Sequence, residues 1–474
     1  MPLTSPTTPT TPTTPTTPLR RLATVGALTL GVLLALLALA GPAAAHADLV
    51  SASPSNGTVV ATEPHRVTLT FSEEVTLALS SLKVIGPDGH RVDNGPARAA
   101  DSGGDGITVD LSAIPQQGTF VIDWRATAAD DGHATSGTLT FSVGAPSRTT
   151  AAGPFGAPDR VTDAVLDLAI WLGLAGLALL VGSAAIRLHC LRLAPDNAAE
   201  PGADATLRRP ATVGWAALLL GALVQLFVHG PATQGESLAH TLDRTLLSAT
   251  LATREGHALV ARVVLLALIA AVGEPLLRRA ARGGAVAAVL LTLALATTWS
   301  AISHAADGPL VPLALVVTTL HVTAMAVWAG GLLALAVLLT RRTGANLAAT
   351  ATRFSRLALV SVAVLAATGL YQAFREVGSL DALTATPYGR LLLVKTSVFL
   401  LVIAAAAASR AHLSRAQWQS RTTASLRRSV LLELAGVTAV LVVTVLLIGT
   451  APSRDTQTPG NPPAAACAQA PGAC

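Results

Sequence analysis

The chain has 474 residues, of which 51% are hydrophobic and only 12% charged. A typical soluble domain carries about 25% charged residues, so this composition excludes a single soluble globular enzyme, a disordered chain and a fibrous repeat. Three cysteines exclude a disulfide-dense scaffold, and the net charge of +5 is not a nucleic-acid footprint. Between residues 46 and 145 there are 12 acids against 5 bases, while the surplus arginines elsewhere flank apolar runs. The pattern is that of an integral membrane protein with a soluble part attached.

Residues 2–18 are a Thr-Pro run that cannot pack a core. Arg20 and Arg21 follow, then an apolar stretch over 22–39 and the small residues Ala43, Ala44 and Ala45. A basic segment, an apolar segment and an A-x-A site predict a secretory signal peptide cleaved after Ala45. An uncleaved anchor helix is the alternative. Cleavage makes His46 the first residue of the mature chain.

Residues 46–143 change character. Alternating apolar and polar residues predict strands at 66–71, 81–85, 107–111, 119–125 and 138–143, punctuated by Gly, Pro, Asp and Asn. Short strands at this spacing predict a small all-β sandwich or barrel. Residues 144–160 are rich in Pro, Gly, Ala and Thr and read as a linker.

From residue 161 to about 450 long apolar runs predict a polytopic α-helical bundle of about eight membrane spans, at 164–186, 211–229, 257–275, 285–303, 313–339, 357–376, 390–408 and 430–449. The intervening segments 187–210, 276–284, 340–356 and 409–429 hold 16 arginines, against two in 230–256, 304–312 and 377–389. Positive residues stay on the cytoplasmic side. This orientation places the β-domain and the tail, 451–474, outside a bacterial plasma membrane. The tail is Pro- and Ala-rich and reads as disordered, with Cys467 and Cys474 close enough in sequence to form a disulfide.

An N-terminal histidine can chelate one metal through its α-amine and imidazole together. That pair suits tetragonal Cu(II), which favours nitrogen and oxygen donors. Asp131 and His133 lie two apart and share a face of an extended segment, with Gly132 between them. His46, Asp131 and His133 therefore form a candidate mixed N/O site. Taken singly, each has a blander reading, a chance residue after a cleavage site or a polar hairpin turn.

Residues 46–143 resemble the CopC family of periplasmic copper-binding proteins. The likeness rests on His46-Ala47-Asp48-Leu49, Ser53-Pro54-Ser55-Asn56-Gly57, VTLTFSEEV from Val67, VIDWRA from Val121 and DGHATSG from Asp131. The resemblance implies a Greek-key β-fold that binds Cu(II) through His46, Asp131 and His133, with Glu73 of the FSE motif as a nearby carboxylate. The methionine-rich Cu(I) site of some CopC proteins is missing, since Met1 and Met325 are the only methionines.

Within the fifth span, His321 and Met325 lie four apart on one helix face, and imidazole and thioether are both plausible copper ligands. The competing reading is a packing histidine bonded to a neighbouring helix, with Met325 as core filler. Gly330-Gly331 permits close helix approach. His229, His257 and His304 fall at outer span ends, where with His321 they can relay a metal inward or simply serve as interfacial polar groups. Arg390, Lys395 and Glu433 need partners, and Glu274 at an inner helix end reads as structural.

The membrane region resembles the CopD domain of bacterial copper-resistance and copper-uptake proteins. The likeness rests on LHVTAMAVWAGGL from Leu320, Arg353-Phe354-Ser355-Arg356, Thr368-Gly369-Leu370-Tyr371, Tyr388-Gly389-Arg390 through Lys395, and Glu433-Leu434-Ala435-Gly436. The order of the two parts looks like a CopC–CopD fusion. The expected function is capture of Cu(II) outside the cell and passage of copper across the plasma membrane, in the direction of import. His321 and His304 are the leading membrane ligands, and no catalysis is expected. The rival readings are a copper buffer whose membrane half is an anchor, and an oxygen-activating enzyme built on a histidine-braced copper. The expected partners are copper ions and the lipid bilayer, with no nucleic acid. An extracytoplasmic copper donor or reductase is a further candidate.

Overall fold

The computed structural model describes residues 47–100, 103–112, 117–129, 134–147, 159–192, 201–278, 282–303, 305, 310–341, 347–415, 423–448, 450 and 453. His46, Asp131, His133 and His304 lie outside the described residues, as do Cys467 and Cys474.

The N-terminal part is a two-sheet β-sandwich. Its strands are β1 (Leu49–Ser53), β2 (Thr58–Val60), β3 (Arg66–Phe71), β4 (Ser81–Ile85), β5 (Asp93–Ala100), β6 (Gly103–Leu111), β7 (Gly118–Thr127) and β8 (Ala134–Val143). One sheet has the order β1-β3-β6-β5 and the other β2-β8-β7-β4. Among the described strands, only β2 and β8 pair in parallel. The chain crosses between the sheets repeatedly, so both contribute to one core. The alternation in RVTLTF explains the packing: Val67, Leu69 and Phe71 are buried while their neighbours face outward. Phe120 and Phe141 stack across the second sheet with ring centroids 5.0 Å apart.

The sequence predicts five of these strands. The three it leaves unassigned, β1, β2 and β5, all lie at sheet edges. Their burial is weak and irregular, so their sequences carry no period-two signal.

The rest is helical. The helices are α1 (Arg160–Ala185), α2 (Pro201–Gln234), α3 (Arg244–Ala252), α4 (Arg254–Arg278), α5 (Arg282–Ser300), α6 (Val311–Thr340), α7 (Leu347–Val377), α8 (Pro387–Arg415) and α9 (Thr423–Ile448). All but α3 are long and apolar enough to cross a membrane, which makes eight candidate spans among the described residues. The protein is a multi-pass membrane protein. The helices run past several of the apolar runs because polar residues continue a helix once it leaves the hydrocarbon.

The tightest crossing is between α1 and α6. A Cβ built on Gly330 would lie 1.6 Å from the carbonyl oxygen of Ala178, and one on Gly182 would lie 2.0 Å from the carbonyl carbon of Gly330. Only glycine fits at either position, as expected for small-residue packing in lipid. Gly331 makes room for the Phe354 ring of α7. Trp328 meets Phe399 edge-on at 5.8 Å and ties α6 to α8.

At one end of the bundle Arg187 is buried with both Asp204 (3.0 Å) and Glu274 (3.0 Å), and Arg208 bonds the same two carboxylates. These charges join the turn after α1 to α2 and α4. Glu274 thus has the structural role read from its place at a helix end.

Candidate metal centre

The described residues around the candidate ectodomain ligands converge at one end of the sandwich. The Thr135 hydroxyl donates to the Ala47 carbonyl at 2.8 Å. Ala47 is fully buried, one residue from His46, and Thr135 is two residues from His133. The Asp48 N–H donates to Ser72 Oγ at 3.0 Å, and the Ser72 N–H to the Asp48 carbonyl at 2.8 Å. Residues of the FSE motif therefore flank the start of β1. The same segment then pairs with the end of β7, through an isolated bridge between Val75 and Ala128 and a bond from the Ala129 N–H to the Glu74 carbonyl. Glu73 is partly buried in this turn. Backbone pairing thus brings together the neighbours of His46, the FSE turn, and both flanks of residues 130–133.

A rigid aromatic floor supports this end. Phe71 and Trp124 pack at 5.3 Å between ring centroids. Gly137 admits the indole, since a Cβ there would lie 2.8 Å from the Trp124 ring. The glycine of the DGHATSG motif is explained by that contact. On the flank of the same sandwich, Asp110 is held below the usual carboxylate range, chiefly by its hydrogen bond from Arg66, with Arg98 adding to it.

The sandwich also contacts the helices. Arg125 donates to the carbonyls of Ala232 (2.7 Å) and Thr233 (3.3 Å) at the end of α2. The Gln234 amide donates to the Ala78 carbonyl, and Leu79 packs against Leu246 and Ala249 of α3. The contact uses the turn Leu77–Leu79 and strand β7, which also border the convergent end.

Inside the bundle His321 has one hydrogen bond among the described residues, from its Nδ1 to Thr368 Oγ1 of α7 at 2.9 Å. The Thr368 hydroxyl already donates to the Val364 carbonyl at 2.6 Å, so it accepts from His321. Nδ1 then carries the proton and Nε2 keeps its lone pair. The packing role weighed for His321 is present, and it leaves one ring nitrogen able to ligate. Met325, one turn deeper on α6, is partly buried and touches the apolar clusters on both sides of that helix. Lys395 lies within electrostatic reach of His321.

The remaining histidines separate. His257 and His240 are exposed, whereas His229 is buried with Nδ1 3.1 Å from Glu255 Oε2. Glu255 and Arg262 are the polar groups that sequence reasoning missed. Arg262 is fully buried 3.6 Å above the Trp299 ring, with Nε donating to Thr298 Oγ1 at 3.0 Å. Its signal was available, since it is an arginine inside an apolar run. Among the described residues no three His, Cys, Asp or Glu side chains group as a metal cluster.

The comparisons agree with the two-part organisation. Residues 49–144 match the CopC domain, and residues 348–447 match Copper resistance protein D, so the chain carries both in one polypeptide. The copper transport protein CutJ of Bacillus subtilis (strain 168) is 28% identical over 386 residues, covering 78% of this chain and 69% of that protein. The crystal structure of CopC from Methylosinus trichosporium OB3b aligns at 32% identity over 21% of this chain and 95% of that one, with a TM-score of 0.20. PcoC, a methionine-rich copper resistance protein from Escherichia coli, aligns at 30% identity over 21% of this chain and 99% of that one, with a TM-score of 0.18. The matched CopC segment contains Asp131 and His133 and starts just after His46. The matched CopD segment starts after the stretch with His321 and Met325.

Proposed function

We propose that this CopC–CopD membrane protein of the copper transport and resistance class captures Cu(II) outside the cell and passes copper inward through its helical bundle. The capture ligands are the His46 amine and imidazole, Asp131 and His133, with Glu73 as an adjacent carboxylate. Copper is the cargo. His321, with His304 and Met325, carries it in the bundle.

The observation that supports this most is the Thr135–Ala47 hydrogen bond. It ties the start of the first strand to the start of the last, so that a histidine one residue before Ala47 and another two residues before Thr135 have little chain with which to separate. The carboxylate-rich FSE turn adds negative charge at the same end. A site of amine, imidazole and carboxylate donors suits Cu(II) rather than Cu(I). The arginine-poor loops on the side of the β-domain support its place outside the cell, and a capture site outside supports inward passage. Fusion of capture site and bundle keeps the donor at high effective concentration beside its acceptor.

Two experiments test the reading. Cells lacking the protein should accumulate less copper at limiting supply; unchanged accumulation would leave a buffer with a membrane anchor. An extra Ala inserted before His46 keeps the imidazole and displaces the amine. Cu(II) affinity of the secreted mature chain should fall at least tenfold, and an unchanged affinity would refute the chelate.

A further inference from the structure

His229 is 5% exposed near the outer end of α2. Its Nδ1 faces Glu255 Oε2 at 3.1 Å. Its Nε2 is buried and has no hydrogen-bond partner among the described residues. This is costly in either protonation state. A protonated Nε2 buries a donor without an acceptor, and a bare one buries a lone pair without a donor. With Glu255 accepting from Nδ1–H, the ring is held in the tautomer that turns its lone pair inward. A carboxylate on the far nitrogen also raises the basicity of the near one, as in carboxylate–histidine–metal arrangements.

The surroundings fit a small cation. Gly230 follows His229, and a Cβ there would lie 3.2 Å from Thr250 Oγ1, a second buried oxygen with no partner among the described residues. The Glu255 carboxylate supplies negative charge where a bare cation would otherwise be costly. The position also matters. Ala232 and Thr233, whose carbonyls Arg125 of the sandwich holds, lie three and four residues further along the same helix. One turn of helix therefore separates the docked sandwich from the buried imidazole.

We infer that His229 Nε2 is a copper-ligating atom, oriented by Glu255, that forms the first station of the bundle beneath the docked β-domain. The inference rests on the copper-transport reading above. Low coordination numbers suit Cu(I), formed from the captured Cu(II) by one electron from an extracytoplasmic reductase, so a single imidazole makes a transit site rather than a store.

The test uses the full-length chain in detergent, carrying His46→Ala to weaken outer capture, titrated anaerobically with Cu(I). His229→Gln, which keeps a hydrogen-bonding side chain for Glu255, should lower the bound copper by one equivalent per chain. It should also remove one imidazole contribution from the copper X-ray absorption spectrum. Glu255→Gln should weaken that equivalent roughly 10–100-fold. If His229→Gln binds the same copper with the same spectrum, the inference fails. Should the variant not fold, the absorption spectrum of the unsubstituted His229 chain decides, because a first shell without an additional imidazole overturns the proposal. Copper accumulation by cells is scored separately. A positive binding result without cellular uptake would sink the transport reading and leave the site standing.

Discussion

The sandwich and the bundle place their polar groups by opposite means. In the sandwich the core cluster is apolar with a few buried hydroxyls such as Thr127 beside it, and the described flanks of residues 46 and 130–133 are tied by backbone pairing and by Thr135. In the bundle the polar groups are inside. His321 is bonded to Thr368, His229 faces Glu255, and Arg262 lies on Trp299. Lipid offers no hydrogen bonds, so these three side chains are set against protein partners, while His229 Nε2 keeps none among the described residues. The lesson is that a ligand read from sequence is tested by different criteria in the two regions: convergence of chain ends outside, and the nitrogen left over inside.

Substitutions that damage one region and spare the other sharpen this comparison. The largest effect is expected from Gly330→Val, which drives a side chain into the Ala178 carbonyl. Overpacking of this kind costs about 3 kcal/mol or more. Folded yield of the full chain in detergent should collapse while the secreted β-domain still binds Cu(II); loss of both would show that the two regions are one folding unit. Trp124→Ala is the converse. It removes an 8% exposed ring from beneath the convergent end, at about 3–5 kcal/mol by analogy with other large-to-small core changes. Thermal unfolding should lose the β-domain transition first and leave helical circular dichroism in place.

Asp110→Asn should have the smallest effect. Because Arg66 and Arg98 depress the carboxyl below its ordinary 3.8, its contribution is complete above that value. It fades as pH falls through the still lower folded value. The variant should melt slightly lower than the unsubstituted chain at pH 7, and the two curves should converge in acid once the carboxyl is protonated in the folded state. A difference that persists in acid would mean the charge is not the cause.

Much of this architecture is legible from residues alone, and the misses have physical reasons. The eight spans are visible because each apolar run is long enough to have no other use. Strands such as RVTLTF are visible because a buried face imposes alternation. The edge strands are not, since β5, reading DNGPARAA, buries almost nothing and is held by pairing with β6. The glycine contact is half legible. Gly330-Gly331 announces a close approach, but its partner, Gly182, lies well over a hundred residues away in an unremarkable run. His321 can be singled out by its cost in lipid, whereas its tautomer follows only from the prior engagement of the Thr368 hydroxyl. Glu255 reads as an ordinary charge at a helix start until His229 is found against it.

The Arg125 contact has a consequence for how the protein can be divided. A helix ends with its carbonyls outward and a partial negative charge, which a cation stabilises. The end of α2 receives its cation from β7, 107 residues earlier in the chain. The β-sandwich therefore also serves as a helix cap. A helical half expressed without it would present an uncapped end of α2, and whatever is measured on it would belong to that altered molecule.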